Sequence, residues 1–130
     1  MNKQNEKDDV PEAEKPIFDS MCKEQYKSLI RERLSEEVAT VFSNSRCPYC
    51  PKAKDLLKRN NVGFSEVILD HLNPNDQMEI ANCIFGMKQR YVPYIYMDNK
   101  RVGSYGELWD MHQTGVLKDY EPTLKKEKKE

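Results

Sequence analysis

The chain has 130 residues, of which 38% are hydrophobic and 33% charged, and its formal net charge is −1. This length fits one small domain, and the near-neutral charge gives no basic surface for nucleic acid. No apolar run reaches the roughly 18 residues of a membrane span. The N-terminal residues lack an apolar signal core and are too acidic for an organelle transit peptide. We therefore expect a cytoplasmic protein with neither nucleic acid nor membrane as a partner.

The two ends of the chain differ in composition from its middle. Residues 1–16 are polar and charged and include two prolines, which predicts a disordered arm. Through residues 17–34 apolar side chains recur at roughly helical spacing, which predicts an amphipathic N-terminal helix packed on the domain. Residues 17–120 are thus predicted to form the folded domain, and residues 121–130 a charged, solvated tail.

The remaining elements alternate between strand and helix. They are predicted as a strand at 38–43, a helix at 52–61, a strand at 64–70, a helix from 74 to about 86, a hairpin of strands at 94–97 and 100–103, and a helix at 106–115. Because a helix separates the first two strands, they should be parallel with a right-handed crossover. The last two strands should pair antiparallel. The predicted fold is α/β, a four-stranded mixed sheet flanked by helices on both faces.

A close pair of cysteines, Cys47 and Cys50, follows the first strand directly, with Pro48 and Tyr49 between them. A structural zinc site needs four ligands, usually two close pairs, and the chain has only this one. Two buried structural thiols are the second alternative. A redox-active dithiol is favoured, because a helix N-terminus and the neighbouring Arg46 stabilise a thiolate.

Several other chemically distinctive side chains receive structural interpretations. Cys22 and Cys83 are interpreted as core or partly buried thiols, since a permanent disulfide framework is not expected in a reducing compartment. His71 and His112 are interpreted as structural or surface groups, because thiol exchange needs no histidine once the thiolate is formed. Trp109 is interpreted as a packing residue.

Further motifs accompany the cysteine pair: "CPYC" after a "VFS" strand, "YVP" later in the chain, and "RVGSYGEL" before the last helix. Together they resemble the dithiol glutaredoxins of the thioredoxin-like superfamily, over about residues 38–120. The Trp-Cys-Gly-Pro-Cys motif normal in thioredoxins is absent. The resemblance implies a thioredoxin-like fold and a monomeric glutathione-disulfide oxidoreductase with a redox-active disulfide. Glutathione is the implied co-substrate, no metal is expected, and the implied protein partners are glutathionylated or disulfide-containing proteins.

The resemblance also implies roles for individual residues. Cys47 matches the solvent-facing nucleophile and Cys50 the resolving thiol. Pro93 matches the cis-proline that faces the disulfide, and Val92 matches the residue whose backbone pairs with the cysteinyl part of glutathione. The other implied glutathione contacts are Asn44 and the Gln89-Arg90 pair at its glycine end, Tyr49, and the loop Ser104, Tyr105, Gly106 and Glu107 at its γ-glutamyl end.

Some of these positions differ from the usual family pattern. Asn44 stands where a lysine is common, and Tyr91 where a threonine is common. Ser104 replaces the second glycine of a pair, and Gly106 with Glu107 replaces two aspartates, which leaves one carboxylate. These differences bear on affinity and thiol specificity and leave the redox chemistry unchanged.

Two further functions from other classes are open. One is an iron–sulfur cluster carrier that uses the first cysteine and glutathione, against which Pro48 argues, because this proline is associated with family members that bind no cluster. The other is a non-catalytic redox sensor or partner-binding module, in which the N-terminal helix and arm make the functional contacts.

Overall fold

The computed structural model describes residues 16–120. The predicted arm, apart from Pro16, and the predicted tail at 121–130 lie outside the described residues. The elements are α1 (Glu24–Leu34), β1 (Ala39–Ser43), α2 (Cys50–Arg59), β2 (Phe64–Ile68), α3 (Pro74–Phe85), β3 (Tyr94–Met97), β4 (Lys100–Gly103) and α4 (Tyr105–Gln113), with short 3₁₀ turns at Leu69–His71 and Val116–Tyr120. None of the helices in this part of the chain has the length and apolar character needed to cross a membrane.

The four strands form one mixed sheet in the order β2-β1-β3-β4. Strand β1 pairs parallel with β2 and antiparallel with β3, and β3 pairs antiparallel with β4. The turn of the β3–β4 hairpin consists of Asp98 and Asn99, whose φ angles are 53° and 64°. Two positive φ angles are what a tight two-residue hairpin requires, and Asp and Asn tolerate them better than most residues. The predicted fold class is confirmed.

Successive side chains of β1 point to opposite faces of the sheet, so the core has two layers. Phe42 faces one side, where it joins the apolar cluster formed with α1 and α3. Val41 faces the other side, where Leu56 and Leu57 of α2 and Leu108 of α4 cover the sheet. Helices α2 and α4 therefore share one face of the sheet, which brings their surfaces next to each other.

The N-terminal helix is shorter than predicted. A helix was expected from Ile17, but α1 begins only at Glu24. Tertiary hydrogen bonds hold the preceding segment out of a helix: the Asp19 N–H donates to the Cys83 carbonyl at 2.7 Å, and the Tyr96 hydroxyl donates to the Ile17 carbonyl at 2.6 Å. This segment, Pro16 to Lys23, is called the strap below. Its apolar residues pack across α3 and β3 without regular secondary structure.

The prediction that Cys22 and Cys83 lie in the core is confirmed, but their interpretation as thiols is wrong, because the structure joins them in a disulfide across 61 residues of sequence. Both side chains are buried, at 7% and 0% exposure. The hydrogen bond from Asp19 to the Cys83 carbonyl holds the strap against α3, and this contact brings the two sulfur atoms together. The bond ties the strap to α3.

Candidate active site

The Cys47–Cys50 pair forms a disulfide in the loop that follows β1. Helix α2 begins at Cys50 and not at Cys47. Residues Cys47 to Tyr49 instead form a turn, in which the Cys50 N–H donates to the Cys47 carbonyl at 3.3 Å. Cys47 is 8% exposed and Cys50 is 2% exposed. Both residues are therefore buried in this disulfide, Cys47 slightly less than Cys50, and Cys47 is not the solvent-facing residue that the resemblance implied.

The electrostatic environment of the dithiol is positive. The first turn of α2 contains no acidic residue, and its second residue, Pro51, lacks only an N–H that would have no partner there. The exposed Arg46 directly precedes Cys47, and the Lys52 ammonium lies 4.8 Å from the centre of the Tyr49 ring. Unpaired helical N–H groups and neighbouring cations favour a thiolate over a thiol.

A carboxylate clamps the loop that leads to Cys47. Asp70, just beyond β2, accepts hydrogen bonds from the Ser45 backbone N–H at 3.0 Å and from the Ser45 hydroxyl. These bonds, with the hydroxyl contributing most, hold the pKa of Asp70 below its usual value. Because Ser45 is two residues before Cys47, these hydrogen bonds fix the path of the chain that leads into the dithiol. Nothing in the sequence pattern indicated this contact.

A second polar network lies beneath the loop, between the sheet and α2. The Ser43 hydroxyl donates to Glu66 at 2.6 Å, and the Lys54 ammonium lies 3.0 Å from the other oxygen of the same carboxylate. Both charged side chains are largely covered, at 29% exposure for Lys54 and 22% for Glu66. This network links the end of β1, the middle of β2 and the second turn of α2, and so fixes the helix that carries Cys50.

The peptide bond between Val92 and Pro93 is cis. Tyr94 pairs with Phe42, so the antiparallel register places Pro93 beside Ser43 at the end of β1, from which the cysteine loop departs. Pro93 is buried, while Val92 is half-buried. The structure thus gathers the cis-proline and the dithiol loop at the same edge of the sheet.

A cavity of about 140 Å³ opens beside this edge. Its lining includes three of the residues that the resemblance placed at glutathione: Asn44, Arg90 and Val92. Gln89 lies elsewhere, in a separate cavity of about 510 Å³ beside the strap. Arg90 therefore lies with Asn44 and the Asp70 carboxylate at this cavity, whereas Gln89 does not. Gln77 also lines the smaller cavity, and sequence reasoning had not singled it out.

The loop before α4 forms a helix cap. The Glu107 carboxylate accepts hydrogen bonds from the Ser104 backbone N–H at 2.8 Å and from the Ser104 hydroxyl. Gly103 has φ 118°, and a Cβ there would lie 3.0 Å from the Glu107 carboxylate, so this cap favours glycine. Glu107 is thus engaged in capping, and the N–H groups of Tyr105 and Gly106, in the first turn of the helix, have no intrahelical acceptor.

Tyr49, between the two cysteines, is 51% exposed, and its ring lies 5.4 Å from that of Tyr105. This contact joins the dithiol turn to the start of α4. In the described range 16–120, no group of three or more His, Cys, Asp or Glu side chains is arranged to hold a metal ion.

The position of the dithiol within the fold defines a class of protein. A Cys-X-X-Cys motif in the first loop of a strand–helix–strand unit is typical of thioredoxin-like redox proteins. Here β1, α2 and β2 form that unit, and the disulfide lies in its first loop. The chain is a thiol oxidoreductase with a thioredoxin-like fold.

Comparison with known proteins narrows this class to a family. Residues 39–102 match the family model described as Glutaredoxin. Glutaredoxin 1 of Rickettsia conorii is 34% identical over 77 residues, which cover 59% of this chain and 74% of the relative. A glutaredoxin of Vernicia fordii is 32% identical over 88 residues, covering 67% and 83%. The crystal structure of a buckwheat glutaredoxin–glutathione complex matches with a TM-score of 0.58 and 22% identity, covering 69% of this chain and 81% of that one. The chain belongs to the glutaredoxin family.

Proposed function

We propose that the protein uses glutathione to reduce protein–glutathione mixed disulfides and small disulfides, with Cys47 as the nucleophile and Cys50 as the resolving thiol. Family membership supports glutathione-dependent thiol chemistry in general. The observation that carries the finer assignment is the Cys47–Cys50 disulfide at the start of α2, in which Cys47 is the less buried residue.

In the first step the Cys47 thiolate attacks the glutathione sulfur of a mixed disulfide. A Cys47–glutathione disulfide forms, and the substrate's thiolate leaves and takes a proton from water. The positive end of α2 and Arg46 stabilise Cys47 both as attacking thiolate and, later, as leaving group.

Two routes then release Cys47. In the first, a second glutathione thiolate attacks the glutathione sulfur of the adduct, which yields oxidised glutathione and restores the Cys47 thiolate. In the second, Cys50 loses its proton and attacks the Cys47 sulfur, so that reduced glutathione leaves and the Cys47–Cys50 disulfide forms. Two molecules of glutathione then reduce this disulfide and leave as oxidised glutathione.

The groove for glutathione is proposed to run past the dithiol from the 140 Å³ cavity to the start of α4. Arg90 and Asn44 would bind the glycine carboxylate, and the Val92 backbone would pair with the cysteinyl part. The first-turn N–H groups of α4 would bind the γ-glutamyl carboxylate, since helix N-termini favour anions. The buckwheat relative, solved with glutathione, supports glutathione as the ligand.

Trapping the adduct tests this proposal. A Cys50→Ser variant, treated with a glutathione mixed disulfide of 2-mercaptoethanol, should accumulate one glutathione on Cys47, measured by intact mass and peptide mapping. No adduct, or an adduct on Cys22 or Cys83 alone, would contradict the proposal. Visible absorption after anaerobic purification would instead indicate a cluster carrier, and a reducible Cys47–Cys50 bond with no turnover would indicate a sensor.

A further inference from the structure

A row of aromatic side chains leads away from the dithiol across the surface of α2 and α4. The ring centres of Tyr49 and Tyr105 are 5.4 Å apart, those of Tyr105 and Trp109 are 6.3 Å apart, and those of Trp109 and His112 are 5.4 Å apart. Residues at i, i+4 and i+7 share one face of a helix, so the last three line one side of α4. These four residues are called the aromatic row below.

The aromatic row is partly exposed to solvent, since Tyr49 and Trp109 are exposed while Tyr105 and His112 are half-buried. Tyr49 is 51% exposed and Trp109 is 39% exposed, so Trp109, interpreted from the sequence as a packing residue, packs at the surface against Tyr105 and His112. The far end is fixed by a 3.1 Å contact between the His112 ring nitrogen and the amide nitrogen of the buried Asn60. Exposed apolar patches mark interaction sites, and side chains that are already ordered lose little entropy on binding.

Two cations lie near Tyr49, at the end of the row nearest the dithiol, while Glu107 in the first turn of α4 caps Ser104. The Lys52 ammonium lies 4.8 Å from the centre of the Tyr49 ring, and the exposed Arg46 precedes Cys47. The first turn of α2 contributes no acidic residue. This end of the row is therefore complementary to a negatively charged group close to the reacting sulfur, whereas Trp109 offers an apolar surface further along.

We propose that the aromatic row binds the polypeptide of a glutathionylated protein substrate, as an extended segment adjacent to its target cysteine. This inference rests on the proposed function. The row is continuous with the dithiol, because Tyr49 lies between Cys47 and Cys50. An extended chain advances about 3.3 Å per residue, so the three ring-to-ring steps accommodate about five residues. The segment that fits best carries an acidic residue beside the cysteine and apolar or aromatic residues further along.

Two substrates separate this docking role from the chemistry. One is a glutathionylated peptide of about nine residues with Asp next to the cysteine and Leu and Phe further along. The other is the glutathione mixed disulfide of 2-mercaptoethanol, which has no polypeptide to dock. Trp109→Ala should raise KM for the peptide about five- to tenfold and leave turnover of the small substrate unchanged. Trp109→Phe should restore most of the peptide affinity.

A matched control is Met78→Ala. Met78 is 47% exposed on α3, on the opposite face of the sheet. Its truncation should leave KM and turnover unchanged for both substrates. Unchanged kinetics on the small substrate also show that the Trp109→Ala variant is folded. A second variant tests the charge: Lys52→Glu should raise KM for the Asp peptide and lower it for the same peptide with Lys in place of Asp.

The outcomes distinguish the inference from the function on which it rests. If the unmodified protein does not turn over the small mixed disulfide, the proposed function fails and the docking role fails with it. If the unmodified protein turns over the small substrate, but Trp109→Ala leaves both KM values unchanged or raises both equally, only the docking role is overturned. Sedimentation that shows a dimer lost in Trp109→Ala would assign the row to self-association and would also overturn it.

Discussion

At the residue scale, the carboxylate of Asp70 is the side chain that most directly positions the loop carrying Cys47. Asp70 receives two hydrogen bonds from Ser45, one from the backbone and one from the side chain. Ser45 leads directly into Arg46 and Cys47, so the carboxylate beyond β2 determines where the loop leaves the sheet. The bonds are made to the charged form of the carboxylate, which is why the pKa of Asp70 is lowered.

The lowered pKa predicts how stability depends on pH. A carboxyl group whose pKa is lower in the folded state stabilises the fold above its unfolded pKa, and this contribution disappears as pH falls through the folded pKa. Asp70→Ala should therefore lower the urea midpoint at pH 7, and the difference from the unmodified protein should shrink toward about pH 2.5, well below the ~3.9 of an unperturbed Asp. An equal difference at both pH values would contradict this account of the clamp.

Arg90 provides a second test at this scale. Because Arg90 and Asn44 line the same cavity while Gln89 does not, Arg90→Gln should raise the apparent KM for a glutathione mixed disulfide about three- to fivefold, with little change in kcat. The difference should shrink at high ionic strength, since exposed charges are screened. Gln89→Ala is the matched control. A larger effect of Gln89→Ala would reverse the assignment.

At the element scale, the strap from Pro16 to Lys23 is held to α3 and the sheet by long-range contacts. The Cys22–Cys83 disulfide is one, and the bonds from Asp19 and Tyr96 are others. Helix α1 adds an anchor of its own: the Tyr26 hydroxyl donates to the Asp76 carboxylate at 2.6 Å, and this bond raises the pKa of Tyr26. The strap and α1 are thus integral parts of the fold.

Removal of the second disulfide should measure its contribution. A bond that closes a loop across 61 residues stabilises a fold by about 2–4 kcal/mol, so Cys22→Ala with Cys83→Ala should lower the free energy of unfolding by that order. A Cys47→Ser, Cys50→Ser background removes the contribution of the other disulfide. In that background a reductant should reproduce the loss. An unchanged denaturation midpoint in both experiments would show that the bond does not form in solution.

At the scale of the whole molecule, the strap and the arm before it should behave differently on truncation. Residues 1–15 are polar and charged, so their deletion should leave the melting temperature and turnover nearly unchanged. Deletion through Leu34 should destabilise the domain strongly, because Ile30 and Leu34 are buried in the core layer with Phe42. Thermal melts and turnover of both truncations decide this. A large loss from the shorter deletion would contradict it.

Much of the architecture could be predicted because its signals are local. Apolar runs and turn residues identified the four strands, the Asp98-Asn99 hairpin and the helix from Pro74 to Phe85. The contacts that could not be predicted join distant parts of the chain. Asp70 with Ser45 has no sequence signature, and neither does the disulfide that ties the segment before α1 to α3. Arg90, and not Gln89, lines the small cavity because of the path that one loop takes. Hydrophobic periodicity in the sequence does not encode that path.

The most direct test of the central claim compares single-cysteine variants on one substrate, a glutathione mixed disulfide. Cys47→Ser should abolish turnover, because it removes the sulfur that forms the adduct. Cys50→Ser should retain most of the activity, because a second glutathione can resolve that adduct without the buried Cys50. Steady-state turnover with glutathione as reductant gives the result. An inactive Cys50→Ser protein beside an active Cys47→Ser protein would contradict the assignment of the two cysteines.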